Sequence, residues 1–434
     1  MSERSEPIIY KRDKHSLARR EIDPDALKIM YRLSENRFHA YLVGGGVRDL
    51  LLKKKPKDFD IATNATPRQV KALFRNCRII GRRFKLAHVF FHGGKIIEVS
   101  TFRDMQDQFE GEAEEIQGLS SDDNVYGTAE TDAFRRDLTI NALFFDATDG
   151  AIIDYVGGMK DINDKIVRVI GDPNIRYQED PVRMVRVVRQ ACRTGFSIDP
   201  AARTAIVKHH NLLQTVPAMR IFEEFKKDIV AGSFLETLRT LESVELLQHL
   251  LPEVCGTELL SNGSYLTTIL RKFDELFLIE EPVSITAALS VLALIPYLQE
   301  PDSNIVVEQI EDARALRDYL GTTFTKIAVP RKERERIEDV LRCWYDLKSR
   351  GPDAKYLNPV LRTGTLADLK QFSRLMANRE SDEEIIALLD EVDQRGSQNG
   401  NHGDEAPNGH RRNGGGSRRG RGGGGRMMRS GMRR

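Results

Sequence analysis

Three consecutive glycines, Gly44-Gly45-Gly46, separate the apolar run Ala40-Tyr41-Leu42-Val43 from the segment Val47-Arg48-Asp49-Leu50-Leu51-Leu52. The apolar run reads as a strand, and the glycines as the turn that feeds it into a helix from Val47 to Leu52. A strand-turn-helix unit of this kind leaves backbone N–H groups unpaired at the positive end of the helix dipole, where an anion is favoured. Gly45 and Gly46 let such an anion approach the main chain, and Arg48 in the first turn is placed to add a bidentate phosphate contact. Asp49 is left to a ribose hydroxyl or to orienting Arg48. The residues exclude a Walker loop, since no Gly-Lys-Ser/Thr follows, and the G-x-G-x-x-G dinucleotide loop, since Asp49 takes the last position. A plain tight turn would need the same glycines.

A few residues on, Asp58-Phe59-Asp60-Ile61-Ala62 reads as a second strand. Alternation would put Asp58 and Asp60 on one face and send Phe59 and Ile61 into the core. Two carboxylates on one face suit a hard divalent cation such as magnesium, which takes oxygen ligands and keeps waters and substrate phosphates among them. Glu98, a charge within the apolar pattern Ile96-Ile97-Glu98-Val99, is the candidate third ligand. The plain alternatives are a solvated turn after Lys53-Lys54-Lys55-Pro56-Lys57 for Asp58, an exposed face for Asp60 and an outward edge-strand charge for Glu98.

At 434 residues the chain calls for two or three packed units plus tails. Thr66-Pro67 predicts a helix start, with Thr66 as cap and Pro67 in the first position, running to Phe74. Further strands are expected at Ile79-Ile80, Ala87 to Phe91 and Ile96 to Val99, which with the two above make a small α/β head with a mixed sheet. Beyond Tyr177 the spacing is helical, with the clearest helices at Glu223-Glu224-Phe225, Leu235 to Leu251, Ile285 to Ile295 (stopped by Pro296), Ile305 to Tyr319 and Arg331 to Lys348. The expected division is an extension at 1–22, a head at 23–165, a neck at 166–230, an all-α body at 231–393 and a disordered tail at 394–434. The tail is rich in Gly, Asn, Arg and Ser. From His410 it carries nine Arg and no acid, which leaves 57 basic against 65 acidic residues in the rest. An acidic main body with a basic arm suits a polyanionic partner. Cys77, Cys192, Cys255 and Cys343 are too scattered for a zinc or redox pair and are expected to be reduced thiols. With no long apolar run and no apolar signal core near Met1, the expectation is no membrane contact and a cytoplasmic location.

Taken together, Leu42-Val43-Gly44-Gly45-Gly46-Val47-Arg48-Asp49, Lys57-Asp58-Phe59-Asp60, Arg135-Arg136-Asp137-Leu138-Thr139-Ile140-Asn141 and Glu179-Asp180-Pro181-Val182-Arg183 resemble the class II nucleotidyltransferases. These are the bacterial poly(A) polymerases and tRNA CCA-adding enzymes of the polymerase β superfamily. The resemblance covers roughly residues 40–200 and implies a polymerase-β-like head. It implies two catalytic magnesium ions on Asp58 and Asp60, with Glu98 near the family's additional strand carboxylate. Arg136 and Asp137 match the motif that contacts the nucleotide sugar and orients the site, with Asn141 in support. Glu179, Asp180 and Arg183 match a protein template that reads the incoming base. Residue patterns add to this. Capping alone accounts for Asp180-Pro181, but Arg183, Arg186, Arg189 and Arg193 fall in one helical arc with apolar residues opposite, a basic stripe expected to serve nucleotide or RNA.

Within the family, Gly81-Arg82-Arg83-Phe84-Lys85-Leu86-Ala87-His88-Val89 resembles the segment that marks poly(A) polymerases, and the Arg-rich tail is similar to their basic extensions. The expected function is template-independent polyadenylation of RNA 3' ends with ATP as substrate. RNA-decay or RNA-chaperone proteins are left open as further partners. Arg82, Arg83 and Lys85 could hold RNA phosphates, and His88 could equally be a packed core residue. CCA or A addition to tRNA is the alternative with the same chemistry, and a non-catalytic RNA-binding protein acting through its tail is the alternative of another class. No His-Asp pair occurs in the chain, so no HD phosphohydrolase domain is expected.

Overall fold

The computed structural model describes residues 6–81, 85–104, 126–295, 313–324, 326–377 and 380–400. Its first half is one eight-stranded sheet with helices. In chain order the elements are β1 (Ile8–Tyr10), α1 (Pro24–Glu35), β2 (Ala40–Val43), α2 (Gly45–Leu51), β3 (Asp60–Thr63), α3 (Pro67–Leu73), β4 (Cys77–Ile80), β5 (Leu86–Phe90), β6 (Ile96–Thr101), α4 (Ala129–Phe134), β7 (Leu143–Asp146) and β8 (Ile152–Asp154). The strand order is β1-β8-β7-β2-β3-β6-β5-β4, with β3 and β6 parallel and every other neighbouring pair antiparallel. The sheet is therefore mixed, as the pattern of the sequence requires.

All four residues of β2 are buried because the strand lies between β7 and β3 with both faces covered. Ala40 and Leu42 join the large core that includes Ile29, Met30 and Leu33 of α1, whereas Tyr41 and Val43 join Ala62, Phe102, Ala133 and Phe144 in a smaller cluster on the other face. Alternation along a strand produces this division directly. α1 is capped by Asp23, whose carboxylate accepts from the Asp25 and Ala26 amides. α3 starts as expected, with Thr66 accepting from the Gln69 amide and Pro67 in the first turn.

The chain then continues through α5 (Gly158–Asp164), β9 (Ile166–Val167), α6 (Pro173–Glu179), α7 (Val182–Thr194), β10 (Ser197–Ile198), α8 (Pro200–His209), α9 (Ala218–Ile229), α10 (Phe234–Ser243), α11 (Tyr265–Leu278), α12 (Ile285–Ala293), α13 (Ala313–Thr323), α14 (Arg331–Arg350), α15 (Asn358–Thr363), α16 (Leu366–Met376) and α17 (Glu380–Gly400). Apart from the two-residue strands β9 and β10, paired in parallel, the regular elements among the described residues of this half are helices. Its helices pack through Leu238, Leu241, Leu266, Leu270, Leu289, Leu292, Val340 and Phe372, all nearly or fully buried.

Three local readings are corrected. The strand of the paired aspartates begins at Asp60, so Asp58 lies in the connection before it. α2 begins at Gly45, two residues earlier than the apolar pattern suggests, because Gly44 already makes the turn. The long helix expected over Leu235 to Leu251 ends at Ser243, and Glu245 adopts a left-handed backbone, φ 62°. Leu246, Leu247, Leu250 and Leu251 after the break are all buried, so apolar spacing carries on through a turn that it cannot reveal. The four cysteines are free. Among the described residues no helix is long and apolar enough to cross a membrane. Arg82, Arg83, Pro296 and the nine tail arginines lie outside the described residues, as does most of the helix expected from Ile305 to Tyr319.

Candidate active site

The site is built where β2 turns into α2. Val43, the last residue of β2, is registered against Asp60 of β3. β3 runs parallel to β6 with Ile61 opposite Val99, so Asp60 and Glu98 stand level on neighbouring strands. Period two puts both on the face that carries Ala62 and the aromatic cluster. His88 is registered against Glu98 on the same face, its Nε2 3.4 Å from Glu98 Oε2. Asp58, in the preceding connection, is near enough for its charge to act on Asp60. Asp60 is an exposed residue crowded by protein groups. Its carboxyl is pushed up to about 6, first by desolvation, then by the neighbouring Glu98 and Asp58, against the opposing pull of Arg136.

Asp60 with Glu98 and Asp58 nearby is a hard-oxygen donor set whose repulsion a divalent cation would relieve. Among the described residues, no three acidic, His or Cys side chains converge into a ready metal cage. Side-chain adjustment would therefore accompany binding.

The glycines divide the work unequally. Gly44 has φ 70° and ψ −141°, a backbone that residues with a Cβ rarely adopt. A Cβ there would sit 3.6 Å from Arg136 Nη1 and 3.8 Å from Asp60 Oδ2. The turn thus lies against the carboxylates. Gly45 opens α2, and Gly46 is buried with its Cβ position 3.3 Å from the Asp58 carbonyl. Gly46 is small so that α2 can close on the segment bearing Asp58. Gly44→Ala is expected to destabilise the protein by about 1–3 kcal/mol through backbone strain and to misplace the start of α2. Urea unfolding checks this, and an unchanged midpoint would contradict it.

Arg48 corrects the phosphate reading. Its side chain is 2% exposed and fully engaged. Nε and Nη2 donate to Asp49 Oδ1 at 2.9 and 2.7 Å, and Nη1 donates to Asn141 Oδ1 at 2.5 Å. Of the two roles offered for Asp49, the structure displays the second, orienting Arg48. Its other oxygen accepts from Arg193 Nη2 at 2.8 Å. Asn141 also accepts Arg136 Nη1 at its carbonyl, 3.1 Å away. Arg136 is held further by Asp132, at 3.1 and 2.9 Å, and its guanidinium lies 5.4 Å from the Phe144 ring centre. Arg135 pairs with the same buried Asp132.

Asp137, Arg183, Arg186 and Arg189 form one ladder. Asp137 accepts from Arg183 Nε at 2.8 Å and Arg186 Nη1 at 2.7 Å. Burial raises its carboxyl, but Arg186 and Arg183 outweigh that and hold it below the ordinary range. Arg183 Nη1 also meets Glu179 Oε2 at 2.9 Å, and Arg176 meets the same oxygen at 3.0 Å. Asp180 accepts instead from the Val182 amide and from Arg220 Nη2 at 2.7 Å. Glu224 of α9 receives both Arg186, at 2.9 Å, and Arg189, at 2.5 Å, while Arg189 Nε meets Asp228 Oδ1 at 2.7 Å.

The expected basic stripe is therefore half sunk. Arg183 and Arg189 are about 7% exposed and neutralised by acids from the head and α9. One helix seen alone cannot disclose this. Sequence reasoning missed Asp132, Glu224 and Asp228, and placed Arg193 in the basic stripe without its partner Asp49. The signals were Asp132 four residues before Arg136, and Glu224 with Asp228 at helical spacing to match Arg186 and Arg189.

Residues 40–168 match the family described as "Poly A polymerase head domain", and residues 195–256 the family described as "Probable RNA and SrmB- binding site of polymerase A". The chain is 48% identical over 255 residues to Poly(A) polymerase I of Escherichia coli O6:H1, covering 58% of this chain and 55% of that protein. It is 38% identical over 226 residues to the CCA-adding enzyme of Bacillus subtilis, covering 52% and 55%. The matches thus span about half the length of these curated relatives. In fold, the chain is similar to the Bacillus stearothermophilus CCA-adding enzyme solved in complex with CTP, with a TM-score of 0.60, 24% identity and coverage of 86% and 83%. Through its glycine turn and its pair of aspartates, the matched segment 40–168 is a Poly A polymerase head domain, and over somewhat more than half its length the chain is similar to bacterial poly(A) polymerases and CCA-adding enzymes.

Proposed function

We propose that this protein adds adenylate residues to RNA 3' ends without a template, using ATP and releasing pyrophosphate. The observation that carries the reading is the carboxylate group Asp58, Asp60 and Glu98 beside the Gly44 turn and Arg136. Its placement in a head shared with proteins named Poly(A) polymerase I supports adenylate over other nucleotides. In this reaction the RNA 3'-oxygen bonds to the α-phosphorus of ATP, the bond to pyrophosphate breaks, and the hydroxyl proton passes to solvent. Asp58 and Asp60, with Glu98 as third ligand, would hold two magnesium ions, which when bound supply Lewis acidity for the attacking hydroxyl and charge for the triphosphate.

The chain's own residues do the rest. Gly44 and Gly45 bring backbone close to the triphosphate. Arg136, fixed by Asp132 and by the Asn141 carbonyl, is aimed at the same mouth and adds positive charge. Arg48, Asp49 and Asn141 act behind it as a rigid mount rather than as ligands. Asp137 holds the first turns of α7 to the head through Arg183 and Arg186. Glu179, Asp180 and Arg183 then present the base-reading edge, with Arg186 and Arg189 fixing that helix on α9. In this division of labour residues 23–165 bind nucleotide and metal, 166–230 read the base, and 231–393 with the tail engage RNA. The second family match, at 195–256, supports RNA contact there.

The test is purified protein given each NTP separately, on a non-tRNA oligonucleotide and on truncated tRNA. Polyadenylation predicts long A tracts on both RNAs. C and A addition confined to the tRNA would establish the CCA-adding alternative, and no product with either RNA would remove both. Arg183→Ala is expected to lower the ATP-over-CTP preference by roughly tenfold to a hundredfold, because an unpaired polar partner is costly in a site that reads hydrogen bonds. An unchanged ratio would exclude Arg183 from base reading.

A further inference from the structure

We propose that Arg193 is a positioning residue, the strut that locks the base-reading helix α7 to the glycine turn and thereby sets how strictly the site distinguishes bases. The inference rests on the polymerase reading above. Arg193 lies in the last turn of α7, two turns beyond the Arg186 of the buried ladder, and its side chain is 32% exposed. Its Nη2 leaves the helix and donates to Asp49 Oδ2 in α2 at 2.8 Å. Asp49 is nearly buried, and its other oxygen takes two donors of Arg48. Arg48 passes to Asn141 Oδ1, the Asn141 carbonyl receives Arg136 Nη1, and that nitrogen stands beside Gly44. Five residues, linked through side chains except at the Asn141 main-chain carbonyl, thus connect the end of α7 to the turn facing Asp60. A second bond supports the joint: Lys54 Nζ donates to the Arg193 carbonyl at 2.8 Å.

The mechanical consequence follows from where α7 is held. Arg186 and Arg189 bind it to α9, so the two helices move as a unit. Near its start, Arg183 and Arg186 tie that unit to Asp137 of the head. At its end, Arg193 ties it to Asp49 of the head. Thirteen helical residues separate the ends by about 20 Å. A unit held at both ends by ion pairs resists rocking, whereas one that loses the Arg193 pair keeps only the Lys54 bond at that end and can pivot at Asp137. Glu179 and Asp180 lie just beyond that pivot and would swing with it. Displacement of about 1 Å in a positioned group can cost two orders of magnitude.

The experiment compares the full chain with Arg193→Gln and Arg193→Lys. For each, kcat/KM is measured with ATP and with CTP on one oligonucleotide, and ATP and CTP affinity is measured by calorimetry without RNA. In Arg193→Gln the ATP-to-CTP ratio is expected to fall by roughly tenfold or more in both measurements, with Arg193→Lys, which keeps a charged donor, between it and the unsubstituted protein. A ratio that stays put in Arg193→Gln, or equal proportional losses with ATP and CTP, would overturn the proposal. If Arg193→Gln does not fold, the same criteria apply to Arg193→Lys. Lack of ATP preference in the unsubstituted protein is a separate result, which removes the polyadenylation reading and this inference with it.

Discussion

Asp60→Asn is expected to abolish nucleotide transfer while leaving the fold as stable as before, or slightly more so, near neutral pH. Desolvation, joined by repulsion from Glu98 and Asp58, lifts the Asp60 carboxyl from 3.8 to about 6. A raised carboxyl disfavours the folded state when ionised. The unsubstituted protein should therefore lose stability as pH rises from 3.8 to about 6, and above that range the loss is complete. The Asn variant has no such charge, so its advantage should be absent below 3.8 and greatest above about 6 when no divalent cation is present. Adding magnesium should raise the melting temperature of the unsubstituted protein more than that of the variant, since a ligand bound by the folded form stabilises it. Near-normal turnover by Asp60→Asn in saturating magnesium would end the metal assignment. Equal melting responses to magnesium would weaken it independently.

Glu224→Ala should produce the largest loss of stability, although Glu224 touches none of the three carboxylates. Glu224 is 4% exposed and joins Arg186 and Arg189, and Arg189 has little other access to solvent. Removing one partner of a buried ion pair costs about 3–5 kcal/mol, because the opposing charge stays behind uncompensated. Asp228 remains as a partner for Arg189, but its carboxyl is raised by complete burial and is a poorer anion. Burial also raises the Glu224 carboxyl, but Arg189 and Arg186 outweigh that and bring it down to about 2. The depressed value means that its stabilisation is full above 4.5 and disappears as pH falls through about 2. Urea unfolding should accordingly show a wide gap between the unsubstituted protein and Glu224→Ala near neutral pH, narrowing with acid below 4.5. A gap independent of pH would mean that the carboxylate's charge is not what holds α7 to α9.

Residues near one another in the chain made much of this molecule legible. The apolar run at Ala40 to Val43, the glycine turn, the cap at Thr66-Pro67 and the change to helical spacing after Tyr177 are local patterns, and local sterics and hydrogen bonding decide them. The acidic pair before and in β3 was visible for the same reason, as was Glu98 as an isolated charge in an apolar strand. Which charges are spent on one another could not be read that way. Arg48 looked like a phosphate ligand because its partner besides Asp49 lies 93 residues away at Asn141. Arg183, Arg186 and Arg189 looked like an open basic stripe because Asp137 and Glu224 come from other elements. A side chain's type is a property of the sequence, but its availability depends on which opposite charges the fold brings within 3 Å. Burial makes those pairings strong enough to decide the matter. The sequence alone therefore determined the order of elements and the kinds of groups at the mouth. The tertiary structure decided that Asp60 stands level with Glu98 and near Asp58 there, and that the arginines behind them brace the site.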